Sequence, residues 1–296
     1  MSNDEQSAPY GGVAQNNDAA LVPAARKPAR IRTHHLQRFK QEGQRFAMLT
    51  AYDAMMAEVF DAAGIEVLLV GDSAANVMQG SASTLSITVD ELLVYAKSVV
   101  NGAKRALVVA DLPFGSYQVS PEQAVHTAVR FMKEAGVHAV KMEAHAGLAA
   151  HVEAVVDAGI PVMAHAGFTP QAEHQLGGFR VQGRGEHAQQ VLADAAALEE
   201  AGAFCLLVEM IPAELAAELE ASLRVPTIGI GAGSATTGQV LVWQDMLGLN
   251  QPAQQGGRLP RFVKQYADLR GIITEAVQSF QSEVREGKFP AQEHMF

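Results

Sequence analysis

Leu68-Leu69-Val70-Gly71-Asp72-Ser73 is a short apolar run that stops abruptly on a carboxylate. A run of this length, rich in Leu and Val and closed by glycine, reads as a fully buried strand. The same ending returns at Val109-Ala110-Asp111, Lys141-Met142-Glu143, Met163-Ala164-His165 and Leu207-Val208-Glu209. Five strand ends thus carry an ionisable group at one relative position. In a closed parallel barrel every strand opens its C-terminal end on one face, where such barrels keep their chemistry.

Outward from this stretch the chain alternates strands and helices at the spacing of successive βα units. Thr33 is expected to cap a helix through Gln41, followed by a first strand at 46–50. A helix over 53–63 closes at Gly64 and leads into the strand at 67–70. Asp90 is read as the cap of a helix that Gly102 ends, before the strand at 107–110. Ser120-Pro121-Glu122 supplies a cap and a proline at the first helical position, and Gly136 closes that helix. Strands are expected at 138–142, 161–164, 204–208, 227–230 and 239–243, with helices before Gly159, over 185–200 and over 212–223. Phe262, Tyr266, Leu269, Ile273, Val277, Phe280 and Val284 recur at helical spacing and predict a final helix over 262–286. The economical reading is an α/β protein, a single-domain (β/α)8 TIM barrel over 31–296. Residues 1–30 lack periodicity and read as a disordered tail. Two connections, 76–89 and 167–185, exceed ordinary turns; the second is glycine-rich and reads as a lid over the site, with an interface loop as the alternative.

Composition narrows the class. With 48% apolar and 18% charged residues in 296, the chain can bury one large core. A formal charge of −10 argues against a nucleic-acid surface and for small-molecule partners. The one cysteine, Cys205, stands in an apolar run and fits a reducing compartment. No stretch approaches the roughly 18 apolar residues of a membrane span, and the first residues carry no signal-peptide pattern. A cytoplasmic location is therefore expected.

The ionisable residues point to a chemistry. Each alone has a plain structural explanation: Asp72 and Asp111 as helix caps, Glu143 as a partner of Lys141, Glu209 facing solvent. Together at successive strand tips they are a site. Carboxylates without cysteine favour a hard cation such as Mg²⁺. Lys141 and Glu143 are two apart on one strand, so they share a side. Lys141 either binds a substrate carboxylate or carbonyl, or forms a Schiff base; His165 either orients substrate or is structural. The adjacent His34 and His35 point about 100° apart and are read as packing residues. Gly229-Ile230-Gly231-Ala232-Gly233-Ser234 fails the GxGxxG pattern at Ser234, and a P-loop reading fails at Gln239, leaving a tight turn.

The strings TAYDA (50–54), LLVGDSAANV (68–77), VVADLPFGSY (108–117), AVKME (139–143), HAGFTPQ (165–171), LGGFRVQGRG (176–185), IGIGAG (228–233) and GQVLVWQDMLG (238–248) closely resemble the ketopantoate hydroxymethyltransferase family. The resemblance runs over 31–296. It implies a Mg²⁺-dependent barrel that moves the one-carbon unit of 5,10-methylenetetrahydrofolate to C3 of an oxoacid, 3-methyl-2-oxobutanoate, in pantothenate biosynthesis. Carried over by motif, it implies Asp72 and Asp111 as metal ligands that also meet substrate, with Glu143 in the metal's sphere. Ser73 and Lys141 would bind the oxoacid, and Glu209 would be the base. A homodecamer is implied as well. Departures, Ala144-His145 after the glutamate and Ala172-Glu173-His174 after TPQ, fall beside the mouth and in the lid. Among rival readings, the phosphoenolpyruvate mutase and isocitrate lyase type of barrel brings a lid cysteine, whereas Cys205 is in a strand. A non-catalytic scaffold gives no reason to keep a crowded charge cluster, and a Schiff-base aldolase would use Lys141 without metal.

Overall fold

A computed structural model describes residues 30–250 and 259–296; the expected tail at 1–30 lies outside them but for Arg30. Strands β1 (Phe46–Thr50), β2 (Val67–Val70), β3 (Leu107–Asp111), β4 (Ala139–Glu143), β5 (Val162–Gly167), β6 (Cys205–Glu209), β7 (Thr227–Ile230) and β8 (Gly238–Leu241) pair in sequence order and close, β1 on β8, into a parallel barrel. The helices between them are α1 (Thr33–Gln41), α2 (Ala54–Ala63), α3 (Val89–Gly102), α4 (Pro121–Arg130), α5 (Ala149–Asp157), α6 (His187–Glu200), α7 (Ala213–Ser222) and α8 (Leu269–Arg285). The fold is the expected (β/α)8 barrel.

Local chemistry sets these boundaries, in places not those expected. Asp53 Oδ1 accepts from Met56 N at 2.9 Å and starts α2, while left-handed Gly64 ends it. Thr33 is the first helical residue of α1, not its cap; His35 Nδ1 instead accepts from Arg32 N at 3.0 Å. Asp90 likewise lies inside α3, whose cap is Thr88: its hydroxyl accepts from Glu91 N at 3.3 Å and the Glu91 carboxylate accepts from Thr88 N at 2.8 Å. This reciprocal pair satisfies two donors, so it outcompetes a lone aspartate two residues on. β8 stops at Leu241 because Trp243 N turns to Thr50 Oγ1 at 3.0 Å and opens a short helical turn. The final helix begins at Leu269, not at 262, where Asp268 Oδ1 accepts from Gly271 N at 3.0 Å.

The strand alternation separates two cores. Outward-facing Leu68, Val70, Val108, Val140 and Leu206 pack under the helices. Inward-facing Met48, Leu69, Val109, Met163, Leu207 and Val240 fill the barrel. Ile31 and Leu36, from the segment around α1, join this inner cluster. Cys205 is buried in it, its thiol pushed up by burial and then by Glu220, which makes it an inert core residue. No residue of α8 is buried, and Ile272, Val277 and Phe280 face outward on this chain.

Two polar anchors brace the barrel below the mouth. Lys40 Nζ donates to Glu220 Oε1 at 2.6 Å, and Glu220 also accepts from Thr237 Oγ1 at 2.6 Å, Thr237 N at 3.1 Å and Thr227 N at 3.2 Å. Glu220→Ala strands that lysine and the β7–β8 donors, and is expected to cost about 3 kcal/mol in urea unfolding; a loss under about 1 kcal/mol would mean that water replaces the carboxylate. His138 Nδ1 accepts from Val108 N at 2.9 Å. Burial, and then the nearby charges of Arg30 and Arg32, push the imidazole down from 6.5 to about 4. The folded state therefore resists a proton that the unfolded chain accepts, so this site's stabilisation is full above about 6.5 and is lost as pH falls toward about 4. His138→Asn, whose amide oxygen can take the same bond, is expected to flatten the melting temperature between those pH values; an unchanged slope would put the acid sensitivity elsewhere.

Candidate active site

The parity that fills the barrel also builds the site. Two residues beyond inward Val109 comes Asp111; beyond Ala139 come Lys141 and then Glu143; beyond Met163, His165; beyond Leu207, Glu209. Each ionisable group is the next inward side chain after a core residue, at the open end of the barrel. Asp72 and Ser73 follow β2 at the same rim. All seven line one cavity of about 470 Å³. The cavity is walled by Leu207, Ile230, Val240 and Phe262 and roofed by Pro170 and Phe179 of the 167–185 segment. The 76–89 connection adds Asn76, Gly80 and Thr84.

Within it the charges are organised. Lys141 Nζ is 2.7 Å from Asp111 Oδ1 and 3.3 Å from His165 Nδ1. An ammonium only donates, so His165 Nδ1 accepts and its proton sits on Nε2, which faces Glu209 Oε2 at 3.4 Å. Asp111 Oδ2 accepts from Asp72 N at 2.9 Å, and Tyr52 Oη meets Ser73 Oγ at 2.8 Å. Gly71 is required by this crowding: a Cβ there would stand 2.7 Å from Ser73 Oγ and 3.6 Å from Asp111 Oδ2. After Glu209 the backbone turns through Met210 at φ 47°, a left-handed conformation on a side-chain-bearing residue.

Burial and mutual repulsion set the protonation states. Burial, then the Asp111 charge, raises Asp72 to about 7. Burial, with Asp72 and Asp111 behind it, raises Glu209 to about 8 against the pull of Lys141. Glu143 goes well above the usual carboxylate range by burial and then Asp72. Burial pulls Lys141 down, but Asp111, Glu143 and Asp72 outweigh it and hold the ammonium charged. Burial and then Lys141 keep His165 neutral. A Schiff-base lysine must be a neutral amine, so the charged Lys141 suits electrostatic binding.

Four carboxyl groups share one ammonium, so that burial and mutual repulsion favour protons on Asp72, Glu143 and Glu209 that a bound cation could replace, and Glu143 Oε1 is buried without a hydrogen-bond partner. Among the described residues no three His, Cys, Asp or Glu side chains converge into a ready-made metal site. Mg²⁺ does not need one, since it takes one or two carboxylates and fills its shell with waters and substrate oxygens. The donor set fits it.

The sequence missed Gln171, whose buried amide meets the carboxylates, and Tyr117, whose hydroxyl touches Gln171. The signals were the strings TPQ and FGSY, with no periodicity to aim either residue. His34 and His35 stack at 4.0 Å between ring centroids on α1, away from the mouth. The glycine run after β7 is the tight turn expected, with positive φ at Gly231 and Gly233.

Among solved structures, a phosphoenolpyruvate phosphomutase from Streptomyces platensis subsp. rosaceus shares the fold with a TM-score of 0.58 at 17% identity, over 86% of this chain and 88% of that one. A phosphonopyruvate hydrolase complex with oxalate and Mg²⁺ gives 0.57 at 12%, over 89% and 93%. Sequence similarity is far closer elsewhere. The 3-methyl-2-oxobutanoate hydroxymethyltransferase of Paenarthrobacter aurescens (strain TC1) is 59% identical over 293 residues, 99% of this chain and 96% of the relative. That of Mycobacterium marinum (strain ATCC BAA-535 / M) is 53% identical over 290 residues, 98% and 95%. The profile of the ketopantoate hydroxymethyltransferase family matches residues 30–292. With that span matched and its motifs gathered around one mouth, the chain belongs to the ketopantoate hydroxymethyltransferase family of transferases.

Proposed function

We propose that this enzyme of pantothenate biosynthesis transfers the one-carbon unit of 5,10-methylenetetrahydrofolate to C3 of 3-methyl-2-oxobutanoate, with Mg²⁺. The observation that carries the reading is Glu209, a carboxylate at the mouth facing neutral His165, across from charged Lys141. Lys141 and Ser73 bind the oxoacid carboxylate and fix its orientation. Water adds to the methylene carbon of the folate's iminium form, and breaking the carbon–nitrogen bond releases tetrahydrofolate and formaldehyde. Glu209 takes the C3 proton, the resulting carbanion equivalent adds to the formaldehyde carbon, and the alkoxide formed takes up a proton to give 2-dehydropantoate. Asp72 and Asp111 would hold the Mg²⁺, with Glu143 in its sphere directly or through water. When bound, the ion would draw charge from the keto oxygen and make C3 acidic.

The test is proton exchange at C3 in D₂O, followed by NMR on metal-stripped protein with and without added Mg²⁺, before folate is supplied. Metal-dependent exchange and then 2-dehydropantoate on adding the folate is the expected result. Absence of product in the second step would sink the reading.

A homodecamer and a cytoplasmic location belong to the same proposal. In support, the apolar side of α8 is uncovered on a single chain, with Val277 59% and Phe280 55% exposed, and Val59 on α2 is 58% exposed. Patches of this kind call for burial against another copy. No helix among the described residues is long and apolar enough to cross a membrane.

A further inference from the structure

We infer that Gln171 is a positioning residue that sets the carboxylate cluster and pins the lid to it, so that filling the site and ordering the lid are one event. Gln171 sits in the short helical turn Pro170–Ala172, at the root of the 167–185 segment, and is buried. Its amide nitrogen donates to Asp72 Oδ2 at 2.8 Å and to the Leu112 carbonyl at 3.0 Å. Its amide oxygen accepts a hydrogen bond from Gln118 Nε2 at 3.1 Å and lies 2.8 Å from the Tyr117 hydroxyl. Its backbone N–H donates to Glu143 Oε2 at 2.9 Å. The amide nitrogen meets the Asp72 carboxyl and the Leu112 carbonyl while the amide oxygen meets the Gln118 N–H, which sets the orientation of the amide; the single proton of the Tyr117 hydroxyl is shared between that oxygen and the Glu143 carbonyl at 2.9 Å. One residue thus holds Asp72 from its side chain and Glu143 from its backbone.

The consequence is directional. An oxygen of each carboxylate is spent on Gln171, which leaves Asp72 Oδ1 and Glu143 Oε1, the latter without a hydrogen-bond partner, for a ligand in the cavity that both residues line. Outer partners of this kind orient ligating carboxylates, and their loss typically costs roughly 10–100-fold in metal affinity. The coupling also runs the other way, because binding free energies are reciprocal. A cation that fixes the carboxylates fixes Gln171, and with it the start of the lid that brings Phe179 over the mouth.

The ligand part of this inference rests on the proposed function; the pin itself does not. Gln171→Met keeps the volume and removes the side-chain bonds. Tyr117→Phe removes the hydroxyl shared between the amide oxygen and the Glu143 carbonyl, leaves Gln118 in place, and serves should the first variant fold poorly. Hydrogen exchange of the 167–185 amides is measured in the metal-free full-length protein and again with Mg²⁺ and 3-methyl-2-oxobutanoate, beside calorimetric titration of each. In Gln171→Met the segment is expected to exchange about tenfold faster than in the parent without ligand, while β6 amides do not change. Ligands should no longer slow it, and Mg²⁺–oxoacid affinity should fall roughly 10–100-fold. Tyr117→Phe should move each readout the same way by less. Equal exchange in parent and variants, or affinity within twofold, would overturn the inference. If the parent itself bound neither ligand, the functional reading would fall, while faster exchange in the variants would still uphold the pin.

Discussion

Glu209→Gln is expected to bind 3-methyl-2-oxobutanoate with affinity close to the parent's while turning over about a thousandfold more slowly. The amide keeps the shape of the carboxylate and the contact toward His165 Nε2, which lies 3.4 Å from Glu209 Oε2. It cannot take a proton. Glu209 is raised to about 8 in the bare site, chiefly through burial, so most of the bare enzyme is without its base at neutral pH. The rate should therefore rise with pH through the Glu209 transition and level off above it, at a lower pH once a bound cation has drawn the carboxylate down. Replacing the carboxylate by the amide abolishes that limb. Single-turnover assays at several pH values, with oxoacid affinity measured separately, decide the matter; parent-like turnover, or a retained acid limb in a residual rate, would remove Glu209 from the role of base.

Asp72→Ala is expected to lose Mg²⁺ and oxoacid together, with metal affinity down by roughly two orders of magnitude or more. The side chain is a proposed ligand and also the acceptor of the Gln171 amide at 2.8 Å, so its removal frees both the cation and the lid. Its effect on stability has the opposite sign. Burial and Asp111 raise Asp72 from 3.8 to about 7, so the folded protein keeps a proton that the unfolded chain gives up. The stability tied to this site is full below about 4 and declines as pH rises to about 7. Without metal, Asp72→Ala should unfold at equal or higher temperature than the parent near pH 8, and its decline with pH should be shallower. Retained Mg²⁺ titration by calorimetry would refute the ligand role, and a lower melting temperature at pH 8 would refute the electrostatic account.

The barrel and most of its mouth were legible because both obey one rule. Asp111, Lys141, Glu143, His165 and Glu209 continue the inward alternation of buried strands, and a period of two can be read from letters alone. What failed were features fixed by competition or by the third dimension. Asp90 and Thr88 are both good caps, and the choice fell to Thr88 because Glu91 three residues on completes the pair. The final helix starts at Leu269 because Asp268 caps it; Phe262 keeps the apolar spacing but faces the cavity instead. Gln171 was hidden for a deeper reason. Its partners Asp72, Leu112 and Tyr117 come from distant parts of the chain, and a glutamine in a glycine-rich loop carries no period to show where it points.

The alternation along β3 to β6 has a consequence for inheritance. In each of these strands the side chain that fills the barrel and the ionisable one at the mouth are separated by a single outward residue. Gaining or losing one residue inside such a strand would turn both over, sending acids into the helix layer and core residues into the mouth. Changes of length are therefore expected to be tolerated in the connections and not inside these strands, which can vary by substitution in place. Relatives should differ in how they roof the mouth long before they differ in how far its acids stand from the barrel's floor.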